Sequence, residues 1–86
     1  MKIRAAIRDP KTGKVYTGES HSTILDEMED IFPAVFVRLR KIYVAEGSLP
    51  ASENVGFIGD DTVLLNRSEA QKKWGVYYSH DIKRRK

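Results

Sequence analysis

Pro33 falls inside the longest apolar periodicity of the chain, and that coincidence constrains the fold more than any other feature. Ile24, Leu25, Met28, Ile31, Phe32, Val35, Phe36, Leu39, Ile42 and Tyr43 recur at three- and four-residue spacing, the pattern of a helix with one buried face. A proline inside a regular helix costs about 3 kcal/mol and disfavours helical geometry at the residue before it, here Phe32. The spacing therefore predicts two helices, over 22–32 and 34–46, or one sharply kinked helix. Ser20, Ser22 and Thr23 are the candidate N-caps, and Thr23-x-x-Asp26 has capping-box form. The acids Asp26, Glu27, Glu29 and Asp30 are expected early in the first helix. Arg38, Arg40 and Lys41 are expected toward the end of the second, each group complementing the helix dipole. Gly47 is the natural stop, and 48–54 reads as a loop.

The flanking segments alternate instead. Ile3, Ala5 and Ile7 share one face and Lys2, Arg4, Ala6 and Arg8 the other, which is a strand with one buried side. Asp9-Pro10-Lys11-Thr12-Gly13 is a turn, with φ preset at Pro10 and free at Gly13. Residues 14–18 then return as the second strand of a hairpin. Residues 55–59 and 62–66, joined at Asp60-Asp61, form a second hairpin. Asn66-Arg67-Ser68-Glu69 has capping-box layout and starts a short helix that runs to about Trp74 and stops at Gly75. Residues 76–82 read as a last strand or extended segment. The expected fold is α+β: a small antiparallel sheet of two β-hairpins packed with two or three helices. Residues 1–82 form one domain and 83–86 a basic tail.

An 86-residue chain buries roughly 60–65% of its unfolded surface, so its core is thin, and the long apolar set from Ile24 to Tyr43 points to a homodimer or higher oligomer. There is no cysteine, which excludes a disulfide framework, a thiolate metal site and a cysteine nucleophile. The absence of an apolar leader or an apolar run of spanning length predicts a cytoplasmic protein with no membrane contact. The net charge is +3, from 15 Lys+Arg against 12 Asp+Glu. Lys83-Arg84-Arg85-Lys86 carries +4, leaving 11 against 12, or −1, for residues 1–82. The body is not a basic nucleic-acid-binding domain, and the tail reads as a solvated end.

Catalytic chemistry is not indicated. His21 and His80 lack a second histidine at ligand spacing. Ser79-His80-Asp81 places triad residue types side by side, where an extended chain sends neighbours to opposite faces. No Gly-rich phosphate loop is present. No enzyme, metal or cofactor is expected, and binding chemistry remains. Phe57, Trp74, Tyr77 and Tyr78 can stack on bases. Arg4, Arg8, Lys14 and Arg67 can hold phosphates, and Asn66 can pair with a base edge. Phe57 and Trp74 equally suit a core, and Asn66 equally suits a helix cap.

The order of these pieces resembles a known set. Ile3-Arg4-Ala5-Ala6-Ile7, Gly13-Lys14-Val15-Tyr16-Thr17-Gly18-Glu19-Ser20-His21, Gly56-Phe57-Ile58, Leu65-Asn66-Arg67-Ser68-Glu69-Ala70 and Tyr78-Ser79-His80-Asp81-Ile82 are similar to segments of small phage-encoded proteins that include the first type of anti-Thoeris sponge. Those sponges sequester cyclic ADP-ribose-type immune signals, and some bind cyclic oligonucleotides. The resemblance implies a non-enzymatic counter-defence protein acting in the host cytoplasm, with Phe57 stacking on a base, Asn66 a polar ligand contact and Arg67 a phosphate contact. Tyr77, Tyr78 and Arg4 complete the expected ligand set. The chain departs from the pattern in its early stop at Trp74-Gly75, in His80 where an acid is usual, in the Phe32-Pro33 break and in the basic tail. These departures bear on the ligand more than on the fold. Two other readings are a protein-binding inhibitor, such as an anti-CRISPR, using an exposed face of the 32–43 helix, and a weak nucleic-acid binder led by the tail.

Overall fold

A computed structural model describes residues 3–74 of the chain. The elements run β1 (Arg4–Arg8), β2 (Val15–Gly18), α1 (His21–Ile31), α2 (Pro33–Glu46), β3 (Val55–Ile58), β4 (Leu64–Leu65) and α3 (Arg67–Trp74). The fold is α+β as expected. The segment 76–82, with Tyr77 and Tyr78, and the basic tail lie outside the described residues.

The two hairpins join into one antiparallel sheet of order β2-β1-β3-β4. Ala5 faces Gly18 and Phe57 across the sheet, and Ile7 faces Tyr16 and Val55. That register puts Ala5, Ile7 and Val55 on one side, where Ile24 and Met28 of α1 and Leu39 of α2 complete the core. Ile7 and Leu39 are fully buried, and each such side chain contributes about 1.5–3 kcal/mol through removal from water.

Phe32 is the single joint between α1 and α2. Its backbone, at φ −134° and ψ 75°, leaves the helical region, and Pro33 takes the first helical position of α2, where its missing N–H would have had no partner. The Phe32 amide still donates to Met28 O at 2.8 Å, and Phe32 O accepts from the amides of Val35 and Phe36. The break resets the apolar phase. The residues that would have continued the buried stripe of α1 are stranded, with Ile31 53% and Phe32 52% exposed, against the expectation that both belong to the core.

Three local expectations need correction. Of the three candidate caps, Ser20 is the cap, its Oγ accepting from the Thr23 amide at 3.1 Å, so the Thr23–Asp26 capping box does not form. With α1 starting at His21, no acid lies in its first turn, and no base lies in the last turn of α2. Arg38 instead reaches across to Asp9. Its Nη2 and Nε donate to Asp9 Oδ2 at 2.8 and 3.2 Å, and the Lys11 amide donates to Oδ1 at 3.0 Å. Asp9 has no exposed surface, so this ion pair clamps the first turn to α2. The Arg38 guanidinium holds the Asp9 carboxyl below its ordinary value, against the opposing effect of burial.

Gly56 is required sterically. A Cβ there would run into the carbonyl oxygen of Leu65 and approach Asn66 Cα at 3.1 Å. The chain leaving β4 thus passes directly over Gly56, and this sets where α3 begins.

Candidate functional site

Where β1 ends, β4 ends and α3 begins, the surface opens into a groove of about 400 Å³ lined by Arg8, Ser52, Glu53, Leu64, Asn66 and Glu69. Its volume falls within the range of small-molecule sites, about 300–1,000 Å³. One wall is built from the 52–54 corner, which is tied to the end of α2. Ser52 Oγ donates to Glu46 Oε1 at 2.8 Å and accepts from the Asn54 and Val55 amides at 3.2 and 3.0 Å. Asn54 Nδ2 donates to both Glu46 oxygens at 3.4 Å, and its Oδ1 accepts from Arg8 Nε at 3.2 Å. Arg8 is thereby oriented by a side chain that is itself held in place.

The opposite wall is the start of α3, where the expected capping box is present in full. The Glu69 amide donates to Asn66 Oδ1 at 2.7 Å, and the Asn66 amide donates to Glu69 Oε1 at 3.0 Å. The side-chain carbonyl of Asn66 therefore has an intramolecular partner, and its amide nitrogen is the group suited to a ligand. The groove lining thus includes one guanidinium, the two carboxylates of Glu53 and Glu69, and the apolar side chain of Leu64. Such a set can hold a molecule that carries an anion at one end and hydroxyl or amino donors at the other.

Phe57 and Arg67 meet elsewhere. Phe57 is 2% exposed, and the Arg67 guanidinium carbon lies 5.3 Å from its ring centroid, within cation–π range. The His21 ring meets Phe57 edge-on at 5.3 Å and lies at 30° to Tyr43 at 5.4 Å. His21 Nε2 is 2.9 Å from Gly56 O. A carbonyl can only accept, so Nε2 carries the proton. Arg67 Nε donates to Gly47 O at 2.9 Å. This interior cluster of Tyr43, His21, Phe57 and Arg67 joins α1 and α2 to β3 and α3. A base stacked on Phe57 has to displace Arg67 or His21.

A phosphate at the start of α3 has little to bind. The Ser68 amide donates to Pro50 O at 3.1 Å, the Glu69 and Ala70 amides are bonded to Asn66, and the Glu69 carboxylate already occupies the positive end of the helix dipole. The remaining candidates are dispersed. Arg4 is exposed at the start of β1 opposite Ile58. Lys14 lies over the Tyr16 ring at 5.3 Å, and Lys73 over the Trp74 ring at 5.9 Å. Tyr77 and Tyr78 are outside the described residues.

Of the residues expected to bind, then, Arg8 and Asn66 meet in the groove, and Phe57 and Arg67 meet in the interior. Ser52, Glu53, Leu64 and Glu69 were not singled out as ligand contacts. The capping-box spacing placed Glu69 beside Asn66, but nothing local marks the other three, because tertiary packing of the 52–54 corner and of β4 brings them there. Asp60 and Asp61 behave as turn residues. Lys73 Nζ donates to Asp61 Oδ2 at 2.6 Å, and this ammonium, aided by the Val63 amide, lowers the Asp61 carboxyl. Among the described residues no group of three or more His, Cys, Asp or Glu could hold a metal ion, and no helix is long and apolar enough to cross a membrane. Comparison of the chain with protein-family models, with curated proteins and with solved structures gives no match to any of them.

Proposed function

We propose that this protein is a non-enzymatic binder that captures a nucleotide-derived signal, of the cyclic ADP-ribose or cyclic nucleotide class, in the groove between β1, β4 and α3. The observation that carries the reading is the groove itself, which brings together Arg8 and Asn66, two residues whose chemistry suits a nucleotide, with the apolar side chain of Leu64. Arg8 takes a phosphate, Leu64 packs under the base, and Glu53 and Glu69 accept from ribose hydroxyls. Sequestration needs a formed site and no turnover, and Arg8 donates to Asn54, which Glu46 in turn holds. In this reading the protein is a counter-defence sponge of a phage, at work in the host cytoplasm.

Calorimetric titration with a panel of cyclic ADP-ribose isomers and cyclic oligonucleotides tests it. At least one member should bind, and Arg8→Gln should weaken it by tenfold or more, about 1.4 kcal/mol, while leaving binding of the matching unphosphorylated nucleoside unchanged. No binding by any member, or equal affinity for Arg8→Gln, contradicts the assignment. A second reading, a protein-binding inhibitor, is favoured by one specific observation: Ile31, Phe32, Val37 and Val44 expose 51–73% of their surface along α1 and α2.

A further inference from the structure

Among the described residues nothing packs on the outer face of the α1–α2 layer, which carries both exposed apolar groups and divided charge. Val37 and Val44, 51% and 73% exposed, are seven residues apart and so share one side of α2. Between them stand Arg40 and Lys41, both exposed. The other base of α2, Arg38, is bound to Asp9, and its one acid, Glu46, is bound to Ser52 and Asn54. The free charge of the α2 face is therefore positive. The α1 face is the converse. Asp26, Glu27, Glu29 and Asp30 are all exposed, and α1 contains no lysine or arginine. Asp26 stands at three- and four-residue spacing from Glu29 and Asp30, where like charges repel along the helix. Ile31 and Phe32, both about half exposed, sit at the joint between the two faces.

We infer that this face is an isologous interface with a second copy of the chain, in which α2 of each protomer lies on α1 of the other. Charge decides the pairing. Setting α1 on α1 brings eight carboxylates together, four from each copy. Setting α2 on α2 brings Arg40 and Lys41 against their own copies. The crossed arrangement alone puts the acids of α1 opposite Arg40 and Lys41, and a two-fold axis makes that contact twice. It also gives Val37, Val44, Ile31 and Phe32 a surface to cover. Helices of 11 and 14 residues offer a patch about 20 Å on a side. That is smaller than the ~800 Å² per partner of a standard interface, so the expected dimer dissociates in the micromolar range. None of these residues lines the groove, so dimerisation and ligand binding can fail separately.

Sedimentation velocity from about 1 to about 500 µM, a range that brackets such an affinity, supplies the test. Two variants reverse one face each: Arg40→Glu with Lys41→Glu, and Asp26→Lys with Glu29→Lys and Asp30→Lys, which takes the α1 face from four negative charges to a net of two positive. All five positions are exposed, and circular dichroism checks that each variant is folded. The wild-type chain should dimerise, and less so at high salt. Each variant alone should be monomeric, because its two faces then carry like charge. An equimolar mixture should restore a dimer containing one chain of each, since both contacts are again complementary. A wild-type chain monomeric throughout, which would leave the face to a different protein, overturns the inference. So do variants that dimerise as the wild type does, or a mixture that stays monomeric.

Discussion

Replacing Asp9 with alanine should be among the most damaging single changes a turn residue of this chain can undergo. The carboxylate is fully buried and accepts from Arg38 Nη2 and Nε and from the Lys11 amide. Hydrogen bonds to a charged group contribute about 1.5–3 kcal/mol each, and breaking a buried pair from one side costs about 3–5 kcal/mol. Arg38 keeps 33% of its side chain in solvent, so the stranded guanidinium recovers part of its hydration, and the expected loss is about 3 kcal/mol. A domain of this size is stable by roughly 4–13 kcal/mol, so the change is visible in urea unfolding followed by circular dichroism. Pairing it with Arg38→Met removes the stranded cation and should recover part of the loss. The acid limb supplies a second readout. The folded carboxyl titrates below its ordinary value of 3.8, so the clamp's contribution is complete above the unfolded value. It is lost as pH falls from there through the lowered folded value. The Asp9→Ala chain should lose that part of the wild-type acid slope. A loss under about 1 kcal/mol, with an unchanged acid slope, would refute the clamp.

Other consequences are local. Asn66→Ala should cost about 1 kcal/mol of stability through the lost cap, read by thermal unfolding; a ligand role adds a tenfold or greater loss of affinity in the folded fraction. Gly56→Ala should destabilise by more than about 2 kcal/mol, because the carbonyl of Leu65 blocks the new Cβ and backbone cannot move aside as a flexible side chain does. Thr62 has φ 58°, in the left-handed region that a β-branched residue avoids. Thr62→Asn should therefore raise stability, by up to about 1 kcal/mol, in the same unfolding assay. Lys73→Ala removes a partner from an ion pair whose two side chains are 48% and 45% exposed, and the unfolding midpoint should stay where it is.

What was legible in the sequence was local. Pro33 marks the helix break because one residue's ring sets it. The Asn66–Glu69 box and the positive φ of Gly13 are likewise fixed within four or five residues. The two hairpins follow from alternation and turn chemistry, though their meeting along β1 and β3 needs tertiary packing. The long-range clamps that hold the elements together were not legible. Asp9 and Arg38 are 29 residues apart, and His21 and Gly56 are 35 apart. In sequence Arg38 is one of three bases on a helix, and only the fold shows that its partner is in a turn. Ile31 and Phe32 mislead for a related reason. Their spacing continues the buried stripe, but the backbone departs from helical geometry at Phe32 and leaves both outside. Residue chemistry nominated Arg8 and Asn66, which the fold places on one groove, and Phe57, which suits a core as well as a base and which the fold buries beside Arg67 and His21.

The central claim is that the groove captures a nucleotide-derived signal and leaves it intact. Incubating the protein with each cyclic ADP-ribose isomer, removing free ligand by gel filtration, heating, and analysing the released small molecule by mass spectrometry tests this directly. One isomer should be retained and released chemically unchanged, and Arg8→Gln should retain far less of it. Release of a hydrolysed product would make the protein an enzyme, and retention of no member of the panel would remove the nucleotide reading altogether.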